Sequence, residues 1–157
     1  MPVPSELYKQ ALAQFASGVT VVTARAPNGS LYGLTASAFC SVSLDPPLVL
    51  VCVDRKATTH EGIAGAGWFA VNVLSKEQEH FSRLFATALD KFGGLEFTGG
   101  PLNGSPRLPG VLAFLECRLV SALDGGDHTI YVGQVEHAEI NGGSPLLYFC
   151  GGYRSLA

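Results

Sequence analysis

The chain commits itself to antiparallel pairing early. Val19 to Arg25, VTVVTAR, is a β-branched run that meets Pro27-Asn28-Gly29-Ser30 and returns as a second run, Leu31 to Phe39. Asn-Gly between two such runs is the strongest short-range hairpin signal. The return run then spends its positions unusually. Across Gly33 to Leu48, GLTASAFCSVSLDPPL, it carries hydroxyls at Thr35, Ser37, Ser41 and Ser43 within an otherwise strand-like stretch, and Pro46-Pro47 stops it. Hydroxyls taken out of water must find partners, so this segment either satisfies them internally or holds a polar ligand. Thr35, Ser37 and Ser41 are the candidate ligand contacts, whereas Ser43 with Asp45 suits a turn.

The remaining pattern is mostly strand. Leu48 to Val53, LVLVCV, is a continuous apolar run that predicts a central strand buried on both faces. Trp68 to Leu74 predicts another. Val111 to Leu123 and Thr129 to Ile140 predict a long hairpin about Asp124-Gly125-Gly126-Asp127, with a β-bulge where the apolar parity flips at Gly133. Pro145 to Cys150 predicts a short closing strand. Three helices are interspersed: one from about Glu6 to Ala16 capped by Ser5 and ended by Gly18, one capped by Thr58 or Thr59, and one opened by the capping box Ser75 to Gln78. Thr87 to Gly110 is long and rich in Gly and Pro, as functional lids and interface arms are. The fold class is therefore mainly β with peripheral helices, a barrel rather than a βαβ sheet.

Composition excludes several functions. The 157 residues suit one domain with its own core; 47% are hydrophobic and only 15% charged, which leaves apolar surface for a homodimer interface. A net charge of −3 and scattered Lys and Arg exclude a nucleic-acid patch. No apolar run reaches membrane-spanning length, and the N-terminal segment lacks the pattern of a secretory signal, so a cytoplasmic protein is expected. Cys40, Cys52, Cys117 and Cys150 have no ligand spacing and read as buried structural thiols; with the four His they form no metal set.

Four constellations could carry chemistry. The first is the hydroxyl strand. The second is Cys52 to Gly62, CVDRKATTHEG, where an apolar strand emerges into Asp54-Arg55-Lys56 and a helix start at Thr58-Thr59, a local anion site. The third is Gly126-Asp127-His128-Thr129, a His at a hairpin mouth that can donate to a ligand amide or phosphate. His60, His80 and His137 read as incidental. The fourth is Tyr148 with Tyr153-Arg154 around a Gly pair, suited to stacking on a planar ring. No GxSxG, GxGxxG or Walker loop is present, so neither a serine nucleophile nor a familiar nucleotide loop is available.

Together these segments resemble the flavin reductase family with the FMN-binding split-barrel fold, which includes the reductase components of two-component flavin monooxygenases. The resemblance rests on FASGVTVVTA, GLTASAFCSVSLDPPLVLVCV, FAVNVLSKEQ, DKFGGLEFTGGPL, the Gly126-Asp127-His128 hairpin and PLLYFCGGYRSL, in that order along nearly the whole chain. It implies one split β-barrel domain over residues 1–157, a homodimer, and NAD(P)H-dependent reduction of FAD or FMN, with NADH preferred, to supply a separate monooxygenase component. Residue by residue, it implies that Thr35, Ala36 and Ser37 line the flavin and that Ser41, Thr58 and Thr59 meet its phosphate. Cys52, Val53 and Asp54 would run along it, and Phe85, Ala86 and Phe92 would border it. His128, the catalytic candidate, would face the nicotinamide nucleotide, with Tyr148, Tyr153 and Arg154 nearby. The alternative on the same barrel is a flavin carrier or redox sensor without nicotinamide turnover.

Overall fold

The computed structural model describes residues 1–87 and 90–157. In chain order the elements are α1 (Ser5–Leu12), β1 (Ser17–Gly18), β2 (Thr20–Arg25), β3 (Leu31–Ala36), β4 (Phe39–Ser43), β5 (Leu48–Asp54), α2 (Thr58–Ala66) and β6 (Trp68–Val73). A 3₁₀ turn, Lys76–Gln78, leads into α3 (Glu79–Thr87), then β7 (Thr98–Gly99), β8 (Pro106–Arg107), β9 (Ala113–Gly125), β10 (His128–Ile140), β11 (Leu147–Phe149) and β12 (Gly152–Arg154).

The hairpin at Asn28-Gly29 pairs β2 with β3, and Ser30 N closes the turn onto Asn28 Oδ1 at 2.9 Å. Seven strands form one antiparallel sheet in the order β3, β2, β6, β9, β10, β5, β4. Its two outer strands, β3 and β4, are consecutive in the chain and joined only by Ser37 and Ala38. The sheet therefore curls until its edges meet at that link, where Cys52 N on β5 donates to Ala38 O at 3.0 Å. A sheet closed on itself with one unpaired seam results. The expected return strand, Leu31 to Phe39, is thus broken at Ser37-Ala38, and the break is what makes the seam.

Two cores sit on opposite faces of this sheet. Inside the barrel, Val22, Val51, Val53, Phe69, Val71 and Tyr131 pack with Ile63 of α2. Outside, Val21, Ala70, Leu74 and Phe114 pack under Phe81 and Phe85 of α3 and under Leu108 and Val111 of the long segment. Among the described residues that cover reaches β2, β6 and β9, and Gly33 and Thr35 of β3, but not β5. The doubly buried strands are accordingly β2 and β6, and the expectation for Leu48–Val53 is corrected. In β5, Val49, Val51 and Val53 are buried while Leu50 and Cys52 between them stay half-buried.

Several local expectations hold. The Ser75–Gln78 capping box is present in both directions. The β9–β10 register shifts between Val132 and Gly133, the expected bulge. A Cβ at Gly133 would lie 2.6 Å from the Phe69 ring and 2.9 Å from Cys117 Cβ, so close packing requires glycine there. Other details differ. Pro4, not Ser5, precedes α1, and Ala57, not a threonine, precedes α2, neither with a side-chain cap. α1 stops at Leu12, and none of its residues is buried; Leu7, Tyr8 and Leu12, with Phe15 beyond it, expose more than half their surface. No described helix is long and apolar enough to cross a membrane.

Of the four free cysteines, only Cys117 is fully buried; Cys40 and Cys150 are exposed. Burial pushes the Cys117 thiol up to about 12, with the nearby Glu116 and Glu136 adding to it. The folded state thus keeps this proton where the unfolded chain, with its thiol near 9, gives it up. The stability due to the neutral thiol is whole below pH 9 and is lost as pH rises toward 12, at about 1.4 kcal/mol per pH unit. Urea melts between pH 8 and 10.5 should show this slope in the wild type and a flatter one in Cys117→Ala.

Candidate active site

The hydroxyl strand divides its polar groups between two uses. Thr35 Oγ1 donates to Ser82 O on α3 at 2.6 Å, so this hydroxyl is satisfied within the protein. Ser37 and Ser41 are exposed, and among the described residues their hydroxyls make no hydrogen bond to protein. Ala36 is buried in the barrel core. Gly33 lies under Phe85 and Phe92: a Cβ there would sit 2.6 Å from the Phe85 ring and 3.2 Å from that of Phe92. A side chain at Gly33 would push α3 off the strand, which explains a glycine at its start.

β5 carries the second group. Opposite residues of an antiparallel pair share a face. Asp54 lies opposite His128 and Cys52 opposite Ile130, while Val53 faces the core with Thr129. This face therefore presents the exposed Cys40 and the half-buried Leu50, Cys52, Asp54, His128 and Ile130, running from β4 across β5 to β10. Burial, with Cys40 close by, pushes the Cys52 thiol up, so it stays protonated near neutrality. Asp54 Oδ1 accepts from Lys56 N at 2.8 Å and shapes the turn into α2. Thr58 is exposed at the start of α2, whereas Thr59 is buried and offers a ligand only its backbone.

His128 stands at the tip of the β9–β10 hairpin. Its Nδ1 is 2.7 Å from Asp127 Oδ1, and this hydrogen bond holds the Asp127 carboxyl below the usual carboxylate range. Arg55 pairs with Asp124 across the same hairpin and its backbone N donates to Asp127 O, tying the tip to the end of β5.

The remaining residues cluster on α3 and the three-stranded sheet of β1, β11 and β12. Phe85 is fully buried and stacks edge-on with Phe92 at 5.2 Å, so its ring shapes the wall from beneath; Ala86 is exposed on the same helix. Ser82 Oγ lies 2.7 Å from Tyr153 Oη, the Arg83 guanidinium sits 4.9 Å above the Tyr153 ring, and Tyr148 meets Tyr153 at 5.2 Å. Ser82 thus links the hydroxyl strand, through its backbone carbonyl, to the C-terminal hairpin, through its hydroxyl. Arg154 is exposed, with Nη1 on Tyr153 O at 3.0 Å. No hydrogen bond or ring contact joins His128 to Tyr148 or Tyr153 among the described residues.

Sequence reasoning missed three features. His60 is not incidental: Nε2 is 2.7 Å from Thr129 Oγ1 and its backbone O accepts from Tyr131 Oη at 2.9 Å, which locks α2 to β10. Lys91 Nζ donates to Gly33 O at 2.7 Å, and its half-burial lowers the ammonium's affinity for its proton. From Leu102 to Pro109 the long segment is pinned to the barrel as a wall, not free as a lid would be. The fully buried Glu116 accepts from Leu102, Asn103 and Gly104 N, while Asn72 Oδ1 accepts from Leu108 N and Gln78 Nε2 donates to Pro109 O. Only the run of buried strand residues could have flagged Glu116, by the intrusion of a carboxylate.

Two concavities flank the site. One of about 640 Å³ lies between α2 and the hairpin, lined by Arg55, His60, Leu119, Thr129 and Tyr131. The other, about 530 Å³, lies along the long segment beside Phe97, Arg107 and Glu139. Neither holds the hydroxyl strand, which lies open on the single chain's surface.

The flavin reductase like domain profile matches residues 12–157. The chain belongs to the flavin reductase family. The 4-hydroxyphenylacetate 3-monooxygenase reductase component of Thermus thermophilus is 45% identical over 156 residues, covering 96% of each chain. The NADH-dependent flavin reductase of a Rhodococcus species is 41% identical, covering 94% of this chain and 84% of its own. A probable flavin reductase of Rhizobium meliloti is 42% identical, and there the match spans only 47% of the relative's length. Among solved structures, the NADH:FAD oxidoreductase of Streptomyces globisporus, in complex with NAD and FAD fragments, superposes with a TM-score of 0.92 at 36% identity, covering 100% of this chain and 97% of its own. The reductase component of a bacterial two-component tryptophan halogenase gives 0.90 at 38% identity, covering 98% of each. The split barrel expected of this flavin reductase is thus the fold it has.

Proposed function

We propose that the chain is an NADH-dependent flavin reductase that supplies reduced FMN or FAD to a separate monooxygenase component. The observation that carries this reading is the open seam. Ser37 and Ser41 present unspent hydroxyls there, beside a half-buried apolar face that ends at Asp54 and His128. Such a surface fits a large planar ring with a polar tail, since the flat apolar strip takes the ring and the hydroxyls take the tail. Bound flavin accepts a hydride from nicotinamide, and the protein's task is to hold the two rings face to face.

In this reading Ser37 and Ser41 donate to the flavin tail, with Thr58 and the backbone of Thr59 at the phosphate. Thr35, Ala36, Val53 and Phe85, whose side chains are spent or buried, hold the wall in shape. Cys52 and Asp54 line the ring, with Ala86 and Phe92 at its border. His128 meets the nicotinamide nucleotide, and Tyr148, Tyr153 and Arg154 approach it from the C-terminal hairpin. The relatives named for NADH support that cofactor over NADPH.

A homodimer completes the site. The half-buried face of β5 and β10, the exposed Val42 and Leu44 on and beside the β4 edge, and the uncovered side of α1 leave much apolar surface for a second copy to bury. The four free thiols suit a reducing compartment, the cytoplasm. The test is steady-state NADH oxidation with FMN, FAD and riboflavin added in turn. Flavin-dependent turnover is expected; tight flavin binding without turnover would select a carrier or sensor instead.

A further inference from the structure

β10 begins with two side chains that point opposite ways, as neighbours on a strand do. His128 projects from the face it shares with Asp54, and Thr129 points inward beside Val53. Thr129 is buried, and its Oγ1 meets Nε2 of His60, on α2, at 2.7 Å. A hydroxyl donates or accepts as needed, so this bond holds for either tautomer of the imidazole. Two residues further along, Tyr131 Oη donates to His60 O at 2.9 Å, and the His60 and Tyr131 rings lie 5.6 Å apart. One residue of α2 thus grips β10 twice, once by its ring and once by its backbone.

The two grips fix different things. Tyr131 reaches a backbone carbonyl, a contact that survives a change of side chain at position 60, and it moors α2 to the barrel. The imidazole reaches the residue next to His128. It does so at the edge of the concavity of about 640 Å³ that His60, Thr129 and Tyr131 line with Arg55, where open space rather than a packed side chain would take its place. Toward the tip, the turn before α2 adds the Arg55–Asp124 pair and the bond from Arg55 N to Asp127 O. The segment from Arg55 to His60 therefore holds both flanks of His128, Asp127 before it and Thr129 after it. Asp127 aims the ring, and Thr129 fixes the backbone from which the ring projects.

We propose that His60 is a positioning residue for the nicotinamide nucleotide: through Thr129 it holds the start of β10 so that His128 stands where that nucleotide binds. This rests on the assignment of the nucleotide to His128 above and deepens it. Thr129, which His60 grips, points to the opposite face of β10 from His128, so His60 acts through His128 and not by touching the nucleotide itself.

The test is steady-state kinetics with NADH and flavin for the wild type, His60→Ala, His60→Gln, Thr129→Val, His128→Ala and the His60→Ala, His128→Ala double variant. His60→Ala should raise the KM for NADH about threefold to tenfold, the scale of one neutral hydrogen bond, and leave the KM for flavin within about twofold. His60→Gln should recover most of the loss, because its amide nitrogen falls near the place of imidazole Nε2. Thr129→Val removes the same bond from the other side and keeps the side chain's bulk, so it should reproduce the effect even if His60→Ala fails to fold. The double variant decides between positioning and general damage. With His128 gone, loss of His60 should change the KM for NADH by less than about twofold, whereas a merely structural defect would add its full effect. An unchanged KM for NADH in His60→Ala and Thr129→Val, an equal rise in both KM values, or the same added loss in the His128→Ala background would each overturn the proposal. If His128→Ala by itself left the KM for NADH unchanged, the assignment of His128 would fail and the proposal with it.

Discussion

Glu116→Ala should cost about 3–5 kcal/mol of stability, a large share of what a domain this size possesses. Glu116 is fully buried, with no solvent-accessible surface. Oε1 accepts from Leu102 N at 2.9 Å, and Oε2 accepts from Asn103 N at 2.8 Å and Gly104 N at 3.2 Å. Gly100 lies so close that a Cβ there would stand 2.5 Å from Oε2. Truncation would strip Leu102 N and Asn103 N of their acceptor, leave Gly104 N only its bond to Gly100 O, and open a void in the same stroke, and each effect alone is destabilising. Glu116→Gln should cost less, about 1–3 kcal/mol, because its amide accepts at one end but presents donors to donors at the other. Urea denaturation gives the totals. Hydrogen exchange should show Leu102, Asn103 and Gly104 losing protection before the strands do. A loss below 1 kcal/mol for the alanine variant would mean that the segment is held by Asn72 and Gln78 without help.

That carboxylate marks the limit of what the sequence made legible. Patterns read within a few neighbouring residues came out well: the Asn28-Gly29 turn, the Ser75–Gln78 capping box and the bulge at Gly133 each depend on local backbone chemistry. The barrel and the family were legible too, through ordered motifs spread along nearly the whole chain. What failed depended on contacts distant in sequence. The Leu48–Val53 run is more apolar than Thr20–Arg25, yet only the latter receives a second cover, because α3 and the long segment return over β2 rather than β5. Composition alone cannot tell which strand a distant helix will cover. The long Gly- and Pro-rich segment read as a lid or an interface arm because the groups that pin it, Glu116, Asn72 and Gln78, lie outside it. For the candidate site, Thr35, Ser37 and Ser41 looked equivalent; only the fold shows that Ser82 has claimed the first and left the other two open.

His128→Ala should raise the KM for NADH about tenfold or more while leaving the KM for flavin within twofold, since one hydrogen bond to a charged group is worth about 1.5–3 kcal/mol. The geometry gives the reason. His128 and Asp54 face each other at the ends of β10 and β5, and the hairpin tip is fixed by the Arg55–Asp124 pair and by Arg55 N on Asp127 O. Asp127 engages Nδ1, which sets the ring's direction and leaves Nε2 as the atom free to meet a ligand. The Ser37–Ser41 seam that would hold the flavin tail touches none of these groups by hydrogen bond among the described residues. Loss of the imidazole should therefore be felt by one substrate. Asp127→Ala should move the same parameter in the same direction by less, because the ring remains but is no longer aimed. Both side chains are solvent-facing, so the melting temperature should barely move in either variant, which separates a binding role from a structural one. A rise confined to the flavin KM would place His128 on the flavin side of the site. If kcat fell instead with both KM values unchanged, the imidazole would be acting on the hydride-transfer geometry itself.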